Sequence, residues 1–158
     1  GNTTHLTRGQ MQYLSAGTGT THREYNDQDE PLRLLEMWIT PDKKGHQPTY
    51  GVYHFDWDAR HNEWLHMASD LTDDAPITLN QVVNIYTILL DEHNTADINV
   101  GVNRQAYLLQ IEGFSEVNGI ALKEKDSLEI IEDHVHIEAT HDSHFIVIEM
   151  KKTDHPYM

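Results

Sequence analysis

The amino-acid sequence predicts an all-β protein. Sustained 3.6-residue periodicity is nearly absent, and short apolar runs bounded by Gly, Asn, Asp and Pro recur along the whole chain. The third observation is local: Asn118-Gly119 separates two such runs. Both central residues of a type I′ turn need positive φ, which Asn-Gly tolerates, so a tight hairpin is expected there. Many short strands of this kind are the pattern of sandwiches and barrels.

In chain order, Gln10–Leu14, Leu32–Ile39 and Tyr50–Phe55 read as strands from their aromatic and aliphatic content, followed by Trp64–Ala68 and Ile77–Leu79. Asn84–Leu89, Ala106–Ile111 and Phe114–Val117 come next, the last paired through Asn118-Gly119 with Ile120–Leu122. Leu128–Ile131, Val135–Ala139 and Phe145–Met150 complete the set. Residues 40–49 and 69–76 are polar and turn-rich. The chain therefore divides into residues 1–68, a linker at 69–76, and residues 77–158. The last unit holds enough strands for one complete small β-domain, whereas residues 1–40 supply only two and read as part of a larger sheet.

Composition narrows the chemistry. At 158 residues and 38% hydrophobic, the chain can bury a core and is not expected to be disordered. It carries 26 Asp+Glu against 11 Lys+Arg, a net charge of -15, with no basic cluster to offset it. Phosphate backbones and anionic membranes are repelled by such a surface, so direct nucleic-acid binding is not expected. No apolar run approaches the roughly 20 residues of a membrane helix. Cysteine is absent, which excludes disulfides, thiolate metal sites and thiol nucleophiles and fits a reducing, cytoplasmic location. The chain starts at Gly1 rather than Met and is expected to be a processed, tagged or partial product.

The segment with chemical content is Gly17-Thr18-Gly19-Thr20-Thr21-His22-Arg23-Glu24-Tyr25-Asn26. Its glycines let the backbone turn, and on an extended strand His22 and Glu24, two apart, face the same way. An imidazole beside a carboxylate suits a borderline divalent metal: Fe, Ni, Mn, Cu or Zn. The competing reading is a Gly-rich turn followed by an exposed polar strand. A second histidine group, His134, His136, His141 and His144, could meet if the intervening turn folds back; a solvated hairpin is the alternative. Trp38, Trp57, Trp64 and the tyrosines are expected to pack in the core or between barrels. Ser15 has no oriented base and third group to activate it. Gly17 and Gly19 lack the helix start and Lys-Ser/Thr of a phosphate loop.

The stretch from Met11 to Pro48 resembles the pirin family, a two-barrel branch of the cupin superfamily. The resemblance rests on Leu14-Ser15-Ala16-Gly17-Thr18-Gly19 leading into His22-Arg23-Glu24-Tyr25-Asn26, then Glu30-Pro31-Leu32 and Met37-Trp38-Ile39. Ile77-Thr78-Leu79-Asn80-Gln81, Leu89-Leu90-Asp91 and Val117-Asn118-Gly119 extend it into a C-terminal barrel. It implies cupin-type, double-stranded β-helix barrels: the latter part of an N-terminal barrel followed by a complete C-terminal one.

The resemblance also implies one divalent metal in the N-terminal barrel, held by a His-x-His pair and a later His-x-Glu pair. His22 and Glu24 match the second pair. The first has no counterpart here, because the family places it upstream of the turn to which Gly1-Asn2 correspond. Arg8-Gly9-Gln10 stands where the family usually has Pro-Gly-Asp, and His22-Arg23-Glu24 where it has His-Ser-Glu; neither change removes a ligand. The implied activity of the parent protein is that of a quercetinase-type dioxygenase acting on a flavonol-like substrate, with Glu24 as metal ligand or as base for the flavonol hydroxyl. The implied alternative is a non-enzymatic regulatory partner. For this chain, two ligands predict a metal weakly held or absent. A barrel lacking its first strands exposes unpaired edges, so self-association is expected.

Overall fold

The computed structural model describes residues 3–70 and 75–153. Gly1-Asn2 and residues 71–74 of the predicted linker lie outside the described residues. The described residues form a β-fold built from three sheets. β1 (Gln10–Ser15) and β2 (Thr49–His54) form an antiparallel pair, from Gln10 opposite His54 to Ser15 opposite Thr49. A short 3-10 turn, Asp58–Arg60, leads into β3 (Leu65–Ser69). β4 (Ile77–Thr78), β5 (Val83–Leu90), β6 (Thr95–Asn99) and β7 (Arg104–Glu112) follow. β8 (Phe114–Val117), β9 (Ile120–Lys123), β10 (Ser127–Ile131), β11 (His134–Ala139) and β12 (Ser143–Lys151) complete the chain.

Six strands run in the order β10-β7-β12-β5-β3-β4 and four in the order β6-β11-β8-β9. Alternation along β11 shows how the sheets meet. Val135, Ile137 and Ala139 are buried while His134, His136 and Glu138 are exposed, so one face packs inward and the other is wet. Those inward residues join Ile88, Leu108, Phe145 and Val147 of the larger sheet in one core. The larger sheet is covered on its other face too: Ile85, Ile146 and Met67 pack with Met11, Tyr13 and Phe55 from the N-terminal segment. That double burial explains why β5 and β12 read as nearly continuous apolar runs.

The Asn-Gly hairpin forms as expected, with Asn118 at φ 47°, Gly119 at φ 80° and Val117 opposite Ile120. Two expectations fail. Leu32–Ile39 is not a strand, and Leu32, Leu34, Leu35 and Trp38 are exposed, Trp38 to 84%. Apolar content alone suggested a strand, but no neighbouring strand pairs with this stretch among the described residues. Trp38 and Tyr25 therefore do not pack in a core, whereas Trp64 does. Conversely, β6 was not predicted; it has only Ala96 and Ile98 as apolar residues and pairs with β11. β3, four of whose five residues fall within residues 1–68, hydrogen-bonds to β5 and so enters the same sheet as the C-terminal strands.

Candidate functional site

His22 and Glu24 lie in the long connection between β1 and β2, in irregular chain rather than on the strand assumed from their spacing. The connection is held at several points. Asn80 Nδ2 donates to Ser15 Oγ at 3.1 Å, and Gln81 Nε2 to the Thr40 carbonyl at 3.0 Å. Arg33 Nη1 reaches Glu124 at 2.5 Å and its Nη2 reaches Glu112 at 3.1 Å. Within it, a turn closes from Gly19 N to the Ala16 carbonyl (2.7 Å), and Asn26 Oδ1 accepts from Gln28 N (3.1 Å).

The two side chains still meet: His22 Nε2 is 4.0 Å from Glu24 Oε1, and both are exposed. Two donors adjacent on one ion, each about 2.1 Å from it, stand about 3.0–3.4 Å apart. The pair thus stands somewhat wider than two donors on one ion would, in two exposed side chains whose residue types suit a divalent metal. Among the described residues no third His, Asp or Glu joins any such group.

The second histidine group does not converge. His134 Nε2 and His136 Nδ1 both reach Asp97 Oδ1, at 3.2 and 2.9 Å, on the wet face of the smaller sheet. Among the described residues no group of three His, Asp or Glu that could hold a metal ion is found, this one included. The hydrogen bond from His136, with that from His134, holds the Asp97 carboxyl below its usual pKa. His141 packs edge-on against Phe114 at 5.3 Å, and His144 turns inward. Asp97 was invisible to sequence reasoning because β6 was.

His144 opens a different region. It lines a cleft of about 300 Å³ with Trp57, His61, Asp91, Glu112 and Asp142. Thr87 Oγ1 gives its one proton to the Phe145 carbonyl (2.8 Å), so at the 3.0 Å contact His144 Nε2 must be the donor. Burial, then the Arg60 charge, pushes the His144 pKa down to about 4, which keeps the ring neutral. At the cleft mouth His61 Nε2 meets Asp91 Oδ1 at 2.8 Å, and that hydrogen bond raises the His61 pKa. Asn62 Nδ2 donates to the other Asp91 oxygen at 2.8 Å; with His61 it lowers the Asp91 pKa. Beside the cleft Arg60 is buried, 3% exposed, with its guanidinium carbon 4.4 Å from the centre of a Trp57 ring. No sequence signal marked it.

Comparison with known proteins fits this architecture. Residues 66–150 match the quercetinase C-terminal cupin domain family, more than half of the chain. The chain belongs to the pirin family. A putative quercetin 2,3-dioxygenase of Pseudomonas aeruginosa is 30% identical over 152 residues, covering 95% of this pirin chain and 66% of the relative. A pirin-like protein of Caulobacter vibrioides is 30% identical over 151 residues, 94% of this chain and 65% of its own length. Among solved structures, YhhW from Escherichia coli superposes with a TM-score of 0.69 at 21% identity, over 75% of this chain and 50% of that one. A further structure, described as bacterial pirin YhhW in complex with nickel(II), gives 0.67 at 20% identity over 73% and 49%. This pirin chain thus spans just under two thirds of these two curated relatives and about half of those solved chains.

Proposed function

We propose that the parent protein is a metal-dependent dioxygenase of the quercetinase type, and that this chain carries the His22–Glu24 half of its metal site. The observation that carries the reading is the His22–Glu24 approach at 4.0 Å in a pirin chain related to proteins named quercetin 2,3-dioxygenase. A divalent ion bound there supplies Lewis acidity toward an ionised hydroxyl of a flavonol-like substrate. His22 contributes a neutral imidazole nitrogen; Glu24 offers a carboxylate that either ligates or accepts the hydroxyl proton. With two protein ligands, the 158-residue chain holds the metal weakly and turns over little.

The same reading takes residues 1–68 as the latter part of a first barrel, residues 77–158 as the second, and 69–76 as the join, in a cytoplasmic protein. The exposed Leu32, Leu34, Leu35 and Trp38 then form a surface through which copies of this chain associate. The test is loss of flavonol absorbance under oxygen by the full-length metallated protein. Activity is expected, and Glu24→Ala should abolish it; no turnover by the fully metallated protein sinks the quercetinase reading. In that event a regulatory role remains, read out by capture of a stoichiometric partner.

A further inference from the structure

The cleft that His144 lines differs in character between its mouth and its floor. Its mouth is acidic: Asp58, Asp91 and Asp142 are exposed there, and no lysine or arginine lines the cleft. The three act together on His61, whose pKa is raised first by the Asp91 hydrogen bond and charge, then by the Asp58 and Asp142 charges. Asp91 is spent, since His61 and Asn62 hold its two oxygens at 2.8 Å each. Asp142 Oδ1 accepts from Glu92 N at 2.9 Å, while its Oδ2 makes no hydrogen bond among the described residues. The Asp58 carboxylate makes neither a hydrogen bond nor an ion pair among them.

The floor offers a neutral acceptor. His144 is 8% exposed, and its Nε2 is committed as donor to Thr87 Oγ1, which leaves Nδ1 with a lone pair. Nδ1 makes no hydrogen bond among the described residues. Unlike Arg60 Nε and Gln110 Nε2, it is not closed off from solvent, so it opens on the cleft that the ring lines. Buried acceptors are rarely left unmatched, because burial removes their water. After burial itself, the Arg60 charge opposes a proton on this ring, with Arg8 in the same sense and Glu112 against them. Such surroundings favour a neutral O–H at Nδ1 over a second cation. Trp57, Leu89 and Leu90 supply apolar wall.

We propose that this cleft binds a small amino alcohol, its ammonium between Asp58 and Asp142, its hydroxyl donating to His144 Nδ1 and its methylenes against Trp57, Leu89 and Leu90. The cleft of about 300 Å³ is the size of a small-ligand site, and a net charge of -15 favours an arriving cation. It is separate from the His22–Glu24 pair and stands whether or not that pair serves a dioxygenase.

The experiment titrates the 158-residue chain by calorimetry with ethanolamine, aminobutanol and aminohexanol, at constant ionic strength and pH 7. Butylamine, which lacks the hydroxyl, and butanediol, which lacks the charge, are the comparisons. At least one amino alcohol should bind saturably, and about fivefold or more tighter than either comparison, the worth of one hydrogen bond. Changing Asp58→Asn and Asp142→Asn together should weaken it about tenfold and leave butanediol unaffected. The hydroxyl contact is read without mutation: the His144 Nδ1 nitrogen resonance should shift on adding the amino alcohol and stay put with butylamine. No saturable binding at any of the three lengths, butylamine or butanediol binding equally well, an unchanged affinity in the double variant, or an unmoved Nδ1 overturns the proposal.

Discussion

Gly113 and Gly119 provide a matched test of how tightly the barrel is closed. Both have positive φ, 88° and 80°, so alanine at either carries a similar backbone strain of about 1–2 kcal/mol. Their surroundings differ. A Cβ at Gly119 meets nothing within 4 Å, whereas at Gly113 it would fall 2.1 Å from the Asp142 carbonyl oxygen and 2.5 Å from Ser143 Oγ. Relief must move the start of β12, beside the register shift between His144 and Phe145, and disturb the Ser143 hydroxyl, whose one proton is shared between the Phe114 and His141 carbonyls at 2.9 and 2.8 Å. Overpacking costs about 1–3 kcal/mol and each lost hydrogen bond about 1. Gly113→Ala should therefore lose about 2–4 kcal/mol more than Gly119→Ala. With a urea slope near 1–3 kcal/mol per molar, the two midpoints should differ by about 1 M or more. Equal midpoints in urea denaturation followed by circular dichroism refute the packing argument and leave backbone strain as the whole effect.

Three further outcomes follow from the same coordinates. His144 titrates near 4 in the folded chain against 6.5 unfolded, so the unfolded state binds the extra proton; stability is complete above about pH 6.5 and falls as pH drops toward 4, by at most about 3 kcal/mol. His144→Gln should flatten the stability profile between pH 6.5 and 4.5, and an unchanged slope counts against a neutral buried ring. Arg104 and Glu149 form a two-pronged ion pair, with Asn84 Nδ2 also donating to Glu149 at 2.8 Å, and both side chains are largely buried. Glu149→Gln should cost about 2–4 kcal/mol, and adding Arg104→Met should cost less than the sum of the two single changes; additivity in thermal denaturation denies the coupling. Trp38→Ser should change stability by under about 0.5 kcal/mol while lowering the association measured by sedimentation, and an unaltered sedimentation profile removes Trp38 from that surface.

Strands whose side chains bury on two faces were legible because their sequences say so: Val83–Leu90 is mostly apolar, and β12 carries the unbroken run Phe145–Ile148. The Asn118-Gly119 hairpin was legible because its turn chemistry is local. What failed depends on partners. Leu32–Ile39 has the composition of a strand, but strand formation requires a neighbour to take its hydrogen bonds, and composition cannot report one. Thr95–Asn99 has little apolar content and exists because β11 lies beside it. The site divides along the same line. His22 and Glu24 are two residues apart and meet even without a strand, since short spacing alone keeps them near. Arg60 lies in Asp58-Ala59-Arg60-His61, a polar stretch that reads as surface; only the tertiary contact with Trp57 and the burial behind it set that arginine apart.

The charge distribution bears on the candidate metal pair. Three of the five arginines, Arg8, Arg33 and Arg60, gather around Trp57 and Glu112, in a chain whose net charge is -15. At physiological salt the screening length is about 8 Å, so the long-range field an approaching ion meets is the acidic one, while the arginines act only at contact. That field draws a divalent cation toward the exposed His22–Glu24 pair. Raising ionic strength should therefore weaken cation capture at that pair, read as a rise in the apparent Kd for a divalent ion, and an affinity independent of salt is incompatible with an acidic surface that draws the ion in.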